Sequence, residues 1–160
     1  MTAPPAGVLV IGVGNPSRGD DALGPAFVER VGAALAAEVA RGELELLTDF
    51  QLQVEHVLDL QGRARVVFVD ASVGAAAPFT YAAVAPALGP PAYTTHAMSP
   101  AALLATYRDV VGAPPPAFVL AIRGEAFELG APLSAAARAH LDAALAFFTA
   151  SARPAEARHA

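Results

Sequence analysis

The stretch Val8-Leu9-Val10-Ile11-Gly12-Val13-Gly14-Asn15 decides the fold, because it joins a continuous apolar run to a polar loop that contains glycine. A short apolar run that ends in glycine is typical of a strand buried on both faces of a sheet. Apolar residues then recur at helical spacing from Leu23 to Ala40, and Gly42 suits the end of that helix. The stretch therefore predicts the first strand and the first crossover helix of an α/β fold.

The rest of the chain repeats this alternation of strand and helix. Further strands are predicted at 44–48, 65–70, 79–84 and 117–123, and further helices at 52–60, 100–111 and 134–150. This alternation predicts parallel pairing with right-handed crossovers, with the 79–84 strand at an edge. Ser99 suits the N-cap of the third helix, and Pro100 suits its first turn. We expect a three-layer α/β sandwich in which helices flank both faces of a mostly parallel five-stranded sheet.

The chain length of 160 residues fits one compact domain. We expect that domain to occupy residues 1–150, followed by a flexible polar tail at 151–160. The most apolar stretch, 73–93, is interrupted by prolines, so it does not predict a membrane-spanning helix. The N-terminus lacks the basic region of a signal peptide. A cytoplasmic protein without a membrane partner is therefore expected.

Composition excludes several classes of function. The absence of cysteine rules out disulfides, thiolate zinc sites and cysteine nucleophiles. The formal net charge is −5, and the Lys and Arg residues form no run. Because binding to nucleic acid needs a concentrated basic surface, nucleic acid is not expected as a partner.

Acidic residues follow the predicted ends of three strands. The first strand leads to Asp20 and Asp21, the second to Asp49, and the third ends on Asp70. His96 lies in the loop before the third helix. Ligands of open α/β sheets bind beyond the carboxyl ends of the strands, above all at the switch point between neighbouring first and third strands. Three carboxylate positions and one imidazole are therefore expected at the same rim of the sheet.

The glycine loop does not match a phosphate-binding motif. A dinucleotide fingerprint requires glycine three positions after Gly14, where Ser17 stands, and no P-loop Gly-Lys-Ser or Gly-Lys-Thr occurs. The adjacent Asp20 and Asp21 would also repel phosphates. A serine hydrolase is disfavoured as well, because no Gly-x-Ser-x-Gly motif is present.

Two carboxylates and one imidazole suit a divalent first-row metal such as nickel or zinc, and the spacing leaves that choice open. Each aspartate also has a structural interpretation. Asp20 can cap the following helix, Asp21 can lie in its first turn, and Asp70 can close a turn. Their combination on one rim favours a site. The other histidines are not assigned to it, since one is expected on an amphipathic helix face, one in the last helix and one in the tail: His56, His140 and His159.

The motifs of this chain resemble those of the hydrogenase maturation proteases. Gly12-Val13-Gly14-Asn15, then four residues, Asp20-Asp21 and Gly24, resembles the opening signature of that family. Val67-Phe68-Val69-Asp70-Ala71 resembles its third-strand acidic motif, and Thr95-His96 resembles its histidine loop. The order and spacing of these motifs agree across residues 7–148.

The resemblance implies an aspartate-dependent endopeptidase that removes a short C-terminal extension from the large-subunit precursor of a nickel-iron hydrogenase. It implies that nickel arrives with the precursor, that Asp21, Asp70 and His96 contact it, and that no organic cofactor is needed. Asp49 stands where the family carries a further acidic residue, and it is expected to take part in catalysis. The chain departs from the family pattern at 50–52, where a glycine-rich run is often found, and at Ala22, which replaces a frequent glycine.

Two other functions remain open at this point. A self-contained metal-dependent hydrolase would hold its own ion and act on a small ester or amide. A non-catalytic nickel-sensing chaperone would bind the hydrogenase precursor without changing its mass. The absence of cysteine and of His-rich tracts argues against nickel storage.

Overall fold

The computed structural model describes residues 5–88 and 98–152. Its strands are β1 Val8–Val13, β2 Leu44–Asp49, β3 Arg65–Ser72, β4 Phe79–Ala83 and β5 Ala117–Arg123. They form one five-stranded sheet in the order β2-β1-β3-β5-β4. The first four strands of that order pair in parallel, and β4 pairs antiparallel with β5 at the edge. The predicted mostly parallel sheet, with β1 beside β3, is confirmed.

Helices cover both faces of the sheet. They are α1 Leu23–Ala34, α2 Ala36–Ala40, α3 Pro100–Val110 and α4 Ala135–Ala152, with two 3₁₀ helices at Gly19–Ala22 and Val54–Leu60. Buried residues of α1 and α4 pack on one face, and those of α3 and the 54–60 helix pack on the other. This arrangement confirms the predicted three-layer sandwich. No helix within residues 5–88 and 98–152 is both long and apolar enough to cross a membrane.

The apolar run of β1 lies in both core layers. Leu9, Ile11 and Val13 pack toward α3, whereas Val10 packs toward α1. Leu9, Val10 and Ile11 have no solvent exposure. Burying each such side chain contributes about 1.5–3 kcal/mol to folding. The continuous apolar pattern, which lacks polar alternation, is thus explained by helices on both sides of this central strand.

Two glycines allow α1 to lie directly against β1. A Cβ added at Gly12 would collide with the carbonyl oxygen of Gly24, and a Cβ added at Gly24 would collide with the carbonyl oxygen of Val13. Any larger residue at either position would therefore push the helix away from the strand. Because α1 follows the loop that carries Asp21, this close contact also fixes where that loop lies above the sheet.

The predicted single helix at 23–40 is interrupted at Leu35, so that expectation was wrong. Leu35 has φ −116° and ψ 36°, which is not helical. Its side chain is only 1% exposed, whereas α2 contributes no buried residue. The Leu35 side chain thus lies in the core, and α2 after it lies on the surface. Val39, which was expected on the apolar face, is consequently 38% exposed.

Several other elements differ from expectation in their bounds, and two of these lie near the site. β3 does not end on Asp70 but continues to Ser72, because Ala71 and Ser72 still pair with β5. The short helix expected at 52–60 begins at Val54 and has 3₁₀ geometry. The expected N-cap of α3 is confirmed, since the Ser99 hydroxyl accepts a hydrogen bond from the Ala102 N–H at 3.1 Å.

Substitution of Gly24 by alanine is expected to destabilise the protein. Alanine favours a helix over glycine by about 1 kcal/mol, but here its Cβ would collide with a backbone oxygen, and overpacking costs typically about 1–3 kcal/mol. The free energy of unfolding in urea measures the difference. Gly74→Ala is the matched control, because a Cβ at Gly74 meets nothing within 4 Å. Equal stability of the two variants would contradict the close contact between α1 and β1.

Candidate functional site

The candidate site lies at the carboxyl ends of β1, β2 and β3. Asp49 is the last residue of β2 and pairs with Val13 of β1. Gly12 pairs with Val69 on the other side, so the same register brings Val13 beside Asp70. Asp49 and Asp70 therefore flank Val13, and two strand spacings separate their backbones by roughly 10 Å.

Asp49 and Asp70 project from the same face of the sheet. Side chains alternate between the two faces along a strand, so each aspartate shares a face with the residue two positions before it. Leu47 and Phe68 stand at those positions, and both pack in the layer beneath α3. The two carboxylates thus project into the space between the sheet and the α3 layer.

Asp21 reaches the rim from the loop that follows β1. Its Oδ2 accepts a hydrogen bond from the Asn15 N–H at 2.8 Å, and the Asn15 side chain accepts one from the Ser17 N–H at 2.9 Å. Gly14 has φ 144°, and a Cβ there would collide with the Asp21 carbonyl oxygen. The loop therefore folds back tightly over the end of β1, and its glycine is required by both conformation and space.

Asp70 and Asp21 influence each other electrostatically. Burial raises the pKa of Asp70 to about 6, and the negative charge of Asp21 contributes to the increase. The hydrogen bond from the Ala71 N–H, at 2.8 Å, acts in the opposite direction. Part of Asp70 is exposed at the rim, but protein surrounds much of its carboxyl group. A carboxyl group with a raised pKa beside a second carboxylate forms a site that a cation would stabilise.

Asp20 has a structural role, although it neighbours Asp21 in sequence. It is fully buried, and its carboxylate accepts hydrogen bonds from the N–H groups of Glu125, Ala126 and Ser134 and from the Ser134 hydroxyl, at 2.8–3.0 Å. Burial alone would raise the pKa of Asp20, but these hydrogen bonds outweigh it and the pKa lies below its usual value. Asp20 thus anchors the loop before α4, and it does not cap α1 as considered from the sequence.

Asp49 contacts a histidine that sequence reasoning left out of the site. Its Oδ1 accepts a hydrogen bond from the Phe50 N–H at 2.7 Å, and its Oδ2 lies 3.4 Å from Nε2 of His56. His56 was expected on an amphipathic helix face outside the site, and it is only 8% exposed, because the 54–60 helix turns it inward. The sequence offered one signal of this inward position, since His56 follows Gln53 by three residues, the spacing of a capping box.

A cavity of about 330 Å³ opens beside Asp49. It lies above the carboxyl ends of β1 and β2, and most of its wall is apolar. Its lining residues come from the loop after β1, the start of α1 and the end of β2: Gly14, Pro16, Pro25, Thr48, Asp49 and Phe50. The cavity therefore leaves open space beside the Asp49 carboxylate.

The predicted metal ligand His96 lies outside the described residues. Met98, two positions later in sequence, forms an isolated antiparallel bridge with Leu52. Within the described part of the chain, no group of three or more His, Cys, Asp or Glu side chains could hold a metal ion. The metal set of Asp21, Asp70 and His96 therefore stays a prediction, of which the structure describes the two aspartates.

Solved structures of hydrogenase maturation proteases share this fold. The hydrogenase maturating endopeptidase HybD from E. coli is 24% identical, with 90% of each chain covered and a TM-score of 0.66. The maturation protease HycI from Thermococcus kodakarensis KOD1 is 19% identical, covers 89% of this chain and 90% of its own, and has a TM-score of 0.66. The hydrogenase 2 maturation peptidase from Thaumarchaeota archaeon SCGC_AB-539-E09 is 18% identical, with 90% and 96% covered and a TM-score of 0.61.

The similarity extends over nearly the whole domain and confirms the predicted fold. No protein-family model and no curated protein matches the sequence. At these levels of identity the solved structures establish the architecture, and the chemistry must be argued from the residues at the rim.

Asp70 is expected to titrate at about pH 6, and Asp21→Asn should lower its pKa because the substitution removes a neighbouring negative charge. Since the folded-state pKa exceeds the unfolded value, charging Asp70 destabilises the fold as the pH rises from about 4 to 6. Carboxyl ¹³C chemical shifts followed against pH measure this titration.

Asp142→Asn is the control for that experiment, because Asp142 lies on α4, is exposed and pairs with Arg30. It should leave the Asp70 titration unchanged. An Asp70 pKa near 4 that does not respond to Asp21→Asn would show that the two carboxylates are not electrostatic neighbours.

Asp20→Ala should lower the free energy of unfolding by at least about 3 kcal/mol, because each buried donor left without an acceptor costs about 1–3 kcal/mol. The lowered pKa means that Asp20 stabilises the fold above its unfolded pKa, and that this stability is lost as the pH falls through the folded value. Urea unfolding at neutral and acidic pH tests both points. Asp142→Ala, which removes an exposed ion pair, should change stability by less than about 1 kcal/mol.

Proposed function

We propose that this protein is an endopeptidase that removes the C-terminal extension of a nickel-loaded large-subunit precursor of a nickel-iron hydrogenase. The observation that carries the proposal is the pair of neighbouring carboxylates, Asp21 and Asp70, at the switch point of the sheet. The motifs around these residues resemble those of hydrogenase maturation proteases, and solved structures of such proteases have the same fold.

In this proposal Asp21, Asp70 and His96 bind the nickel that the precursor carries. Two carboxylate oxygens and one imidazole nitrogen form a donor set that suits nickel. The raised pKa of Asp70 supports the assignment, because a bound cation would relieve the repulsion between the two aspartates. The assignment of His96 rests on the resemblance of its loop to that of the family.

Peptide hydrolysis needs a polarised carbonyl, a water nucleophile and a group that takes the proton of the water. Nickel held beside the scissile bond supplies Lewis-acid polarisation. Asp21 and Asp70 orient the precursor by holding its nickel, so the scissile bond is fixed next to the rim. Asp49 serves as the general base, since its backbone lies roughly two strand spacings, about 10 Å, from that of Asp70, a separation that leaves room for a peptide and a water.

The same arrangement makes cleavage depend on nickel insertion. Without nickel, the precursor presents no cation to the two aspartates, and their mutual repulsion remains unbalanced. The scissile bond is then not held near Asp49. The protease thereby distinguishes a completed precursor from one that still lacks its metal, without keeping a metal of its own.

The test is the intact mass of the precursor after incubation with the purified protein. A nickel-loaded precursor should lose the mass of a short C-terminal peptide, and a nickel-free precursor should not. Asp21→Ala and Asp70→Ala should each slow processing at least about 100-fold, because the scissile bond loses its alignment. Asp142→Ala is the control, because Asp142 is far in sequence from the residues of the rim and pairs with Arg30. This variant should process the precursor at the wild-type rate.

Other outcomes would identify the alternative functions. Binding of the precursor without loss of mass would favour a nickel-sensing chaperone. Metal retained on purification, together with hydrolysis of small esters or amides, would favour a self-contained hydrolase. Cleavage of nickel-loaded and nickel-free precursor at equal rates would contradict the proposed nickel dependence.

A further inference from the structure

Three charged or polar side chains of the described residues are buried: Asp20, His56 and Arg63. The first and the last are satisfied within the fold, since Asp20 accepts four hydrogen bonds and Arg63 donates to Asp59, Ala6 and Glu45. His56 differs, because one of its ring nitrogens points toward a carboxylate at the candidate site.

The hydrogen bonds of His56 determine its tautomer. Nδ1 accepts a hydrogen bond from the Gln53 N–H at 2.8 Å. A ring nitrogen that accepts a hydrogen bond carries no proton, so the proton of the neutral ring lies on Nε2. That Nε2–H faces Oδ2 of Asp49 at 3.4 Å. At this distance the two groups are in close polar contact, although the separation exceeds that of an ordinary hydrogen bond.

Each oxygen of Asp49 therefore has a polar neighbour on the protein side. The Phe50 N–H holds Oδ1 at 2.7 Å, and His56 faces Oδ2. The side chain of Asp49 retains 38% exposure and lines the cavity at the rim. A carboxylate that is restrained on one side and open on the other keeps one orientation toward a substrate.

We propose that His56 is a positioning residue that orients Asp49 for proton transfer during peptide hydrolysis. This inference rests on the proposed function, because Asp49 acts there as the general base. As the water oxygen attacks the carbonyl carbon, one water proton passes to Asp49. When the C–N bond breaks, Asp49 returns that proton to the departing amine. His56 keeps its Nε2 against Oδ2 of Asp49 and so holds the carboxylate in place during both steps.

A purely structural role of His56 requires only one of its two nitrogens. His56 occupies the third position of the 54–60 helix, and its Nδ1 completes a capping box with Gln53. The contact between Nε2 and Asp49 contributes nothing to that cap. Substitutions that keep one nitrogen function and remove the other therefore separate positioning from capping.

Two conservative variants make this separation. In His56→Asn, the amide oxygen replaces the acceptor Nδ1 and preserves the cap, but no atom reaches Asp49. In His56→Gln, the longer side chain can accept from the Gln53 N–H and donate to Asp49 as well, and glutamine is a favoured residue at this position of a capping box. Urea unfolding should give similar stability for both variants.

The experiment is single-turnover processing of nickel-loaded precursor, followed by intact mass. His56→Asn should lower the rate at saturating precursor about 10–100-fold, because the base is misplaced. The precursor concentration for half-maximal rate should not change. His56→Gln should recover most of the lost rate. A purely structural role would affect both variants alike, and it would not separate the maximal rate from the concentration dependence.

A double-mutant cycle tests whether His56 acts through Asp49. Asp49→Asn should itself slow processing, and the further change His56→Asn should add little to that loss. His56→Asn at the wild-type rate would overturn the positioning role, and so would a full, additive loss in the Asp49→Asn background. If wild-type protein leaves the nickel-loaded precursor uncut, the proposed function itself fails and the role of His56 fails with it.

One further measurement does not depend on activity. The ¹⁵N shifts of the His56 ring in the free protein should identify the tautomer with the proton on Nε2, and Asp49→Asn should shift the Nε2 resonance. A proton on Nδ1 would contradict the geometry even in a protein that processes its precursor.

Discussion

The site depends on two like charges, those of Asp21 and Asp70, that the fold holds side by side. Burial, with a smaller contribution from the negative charge of Asp21, raises the pKa of Asp70 to about 6, so the arrangement costs free energy that other contacts must offset. The close packing of α1 on β1, through Gly12 and Gly24, keeps the Asp21 loop above the sheet. The buried hydrogen bonds of Asp20 anchor the same 3₁₀ turn to the loop before α4. The two adjacent aspartates thus differ in role. Asp20 stabilises the turn, and the turn places Asp21 at the rim of the sheet.

The structure distinguishes two acidic groups that the sequence alone could not separate. Asp21 and Asp70 interact electrostatically, since the negative charge of Asp21 contributes to the raised pKa of Asp70. Asp49 lies on the other side of Val13, and its contacts are the Phe50 N–H and His56. This separation is the reason for proposing two roles. In that proposal Asp21 and Asp70 bind nickel, whereas Asp49, positioned by His56, accepts the proton. In the proposed function, a substrate segment lies between the two groups.

Much of the fold could be predicted from the sequence, because the buried strands are continuous apolar runs and the helix starts carry local signals such as Ser99-Pro100. The strand ends then brought Asp21, Asp49 and Asp70 to one rim, as parallel topology requires. The break at Leu35 could not be read from periodicity, since it arises from tertiary burial of that side chain. The inward turn of His56 was missed because a 3₁₀ helix presents its residues at a different angle from an α-helix. The tight loop at Gly14 could not be predicted either, because it depends on the close approach of Gly14 to the Asp21 carbonyl oxygen.

The proposed function depends above all on the binding of the precursor's nickel by Asp21 and Asp70. Nickel X-ray absorption tests this binding directly, on a complex of nickel-loaded precursor with the slow Asp49→Asn variant. If Asp21 and Asp70 bind the nickel, the nickel of the complex should gain oxygen or nitrogen ligands relative to the precursor alone. This gain should decrease when Asp21 and Asp70 are both changed to asparagine in the same variant. A spectrum that does not change when the complex forms would contradict the account, even if the precursor is cleaved.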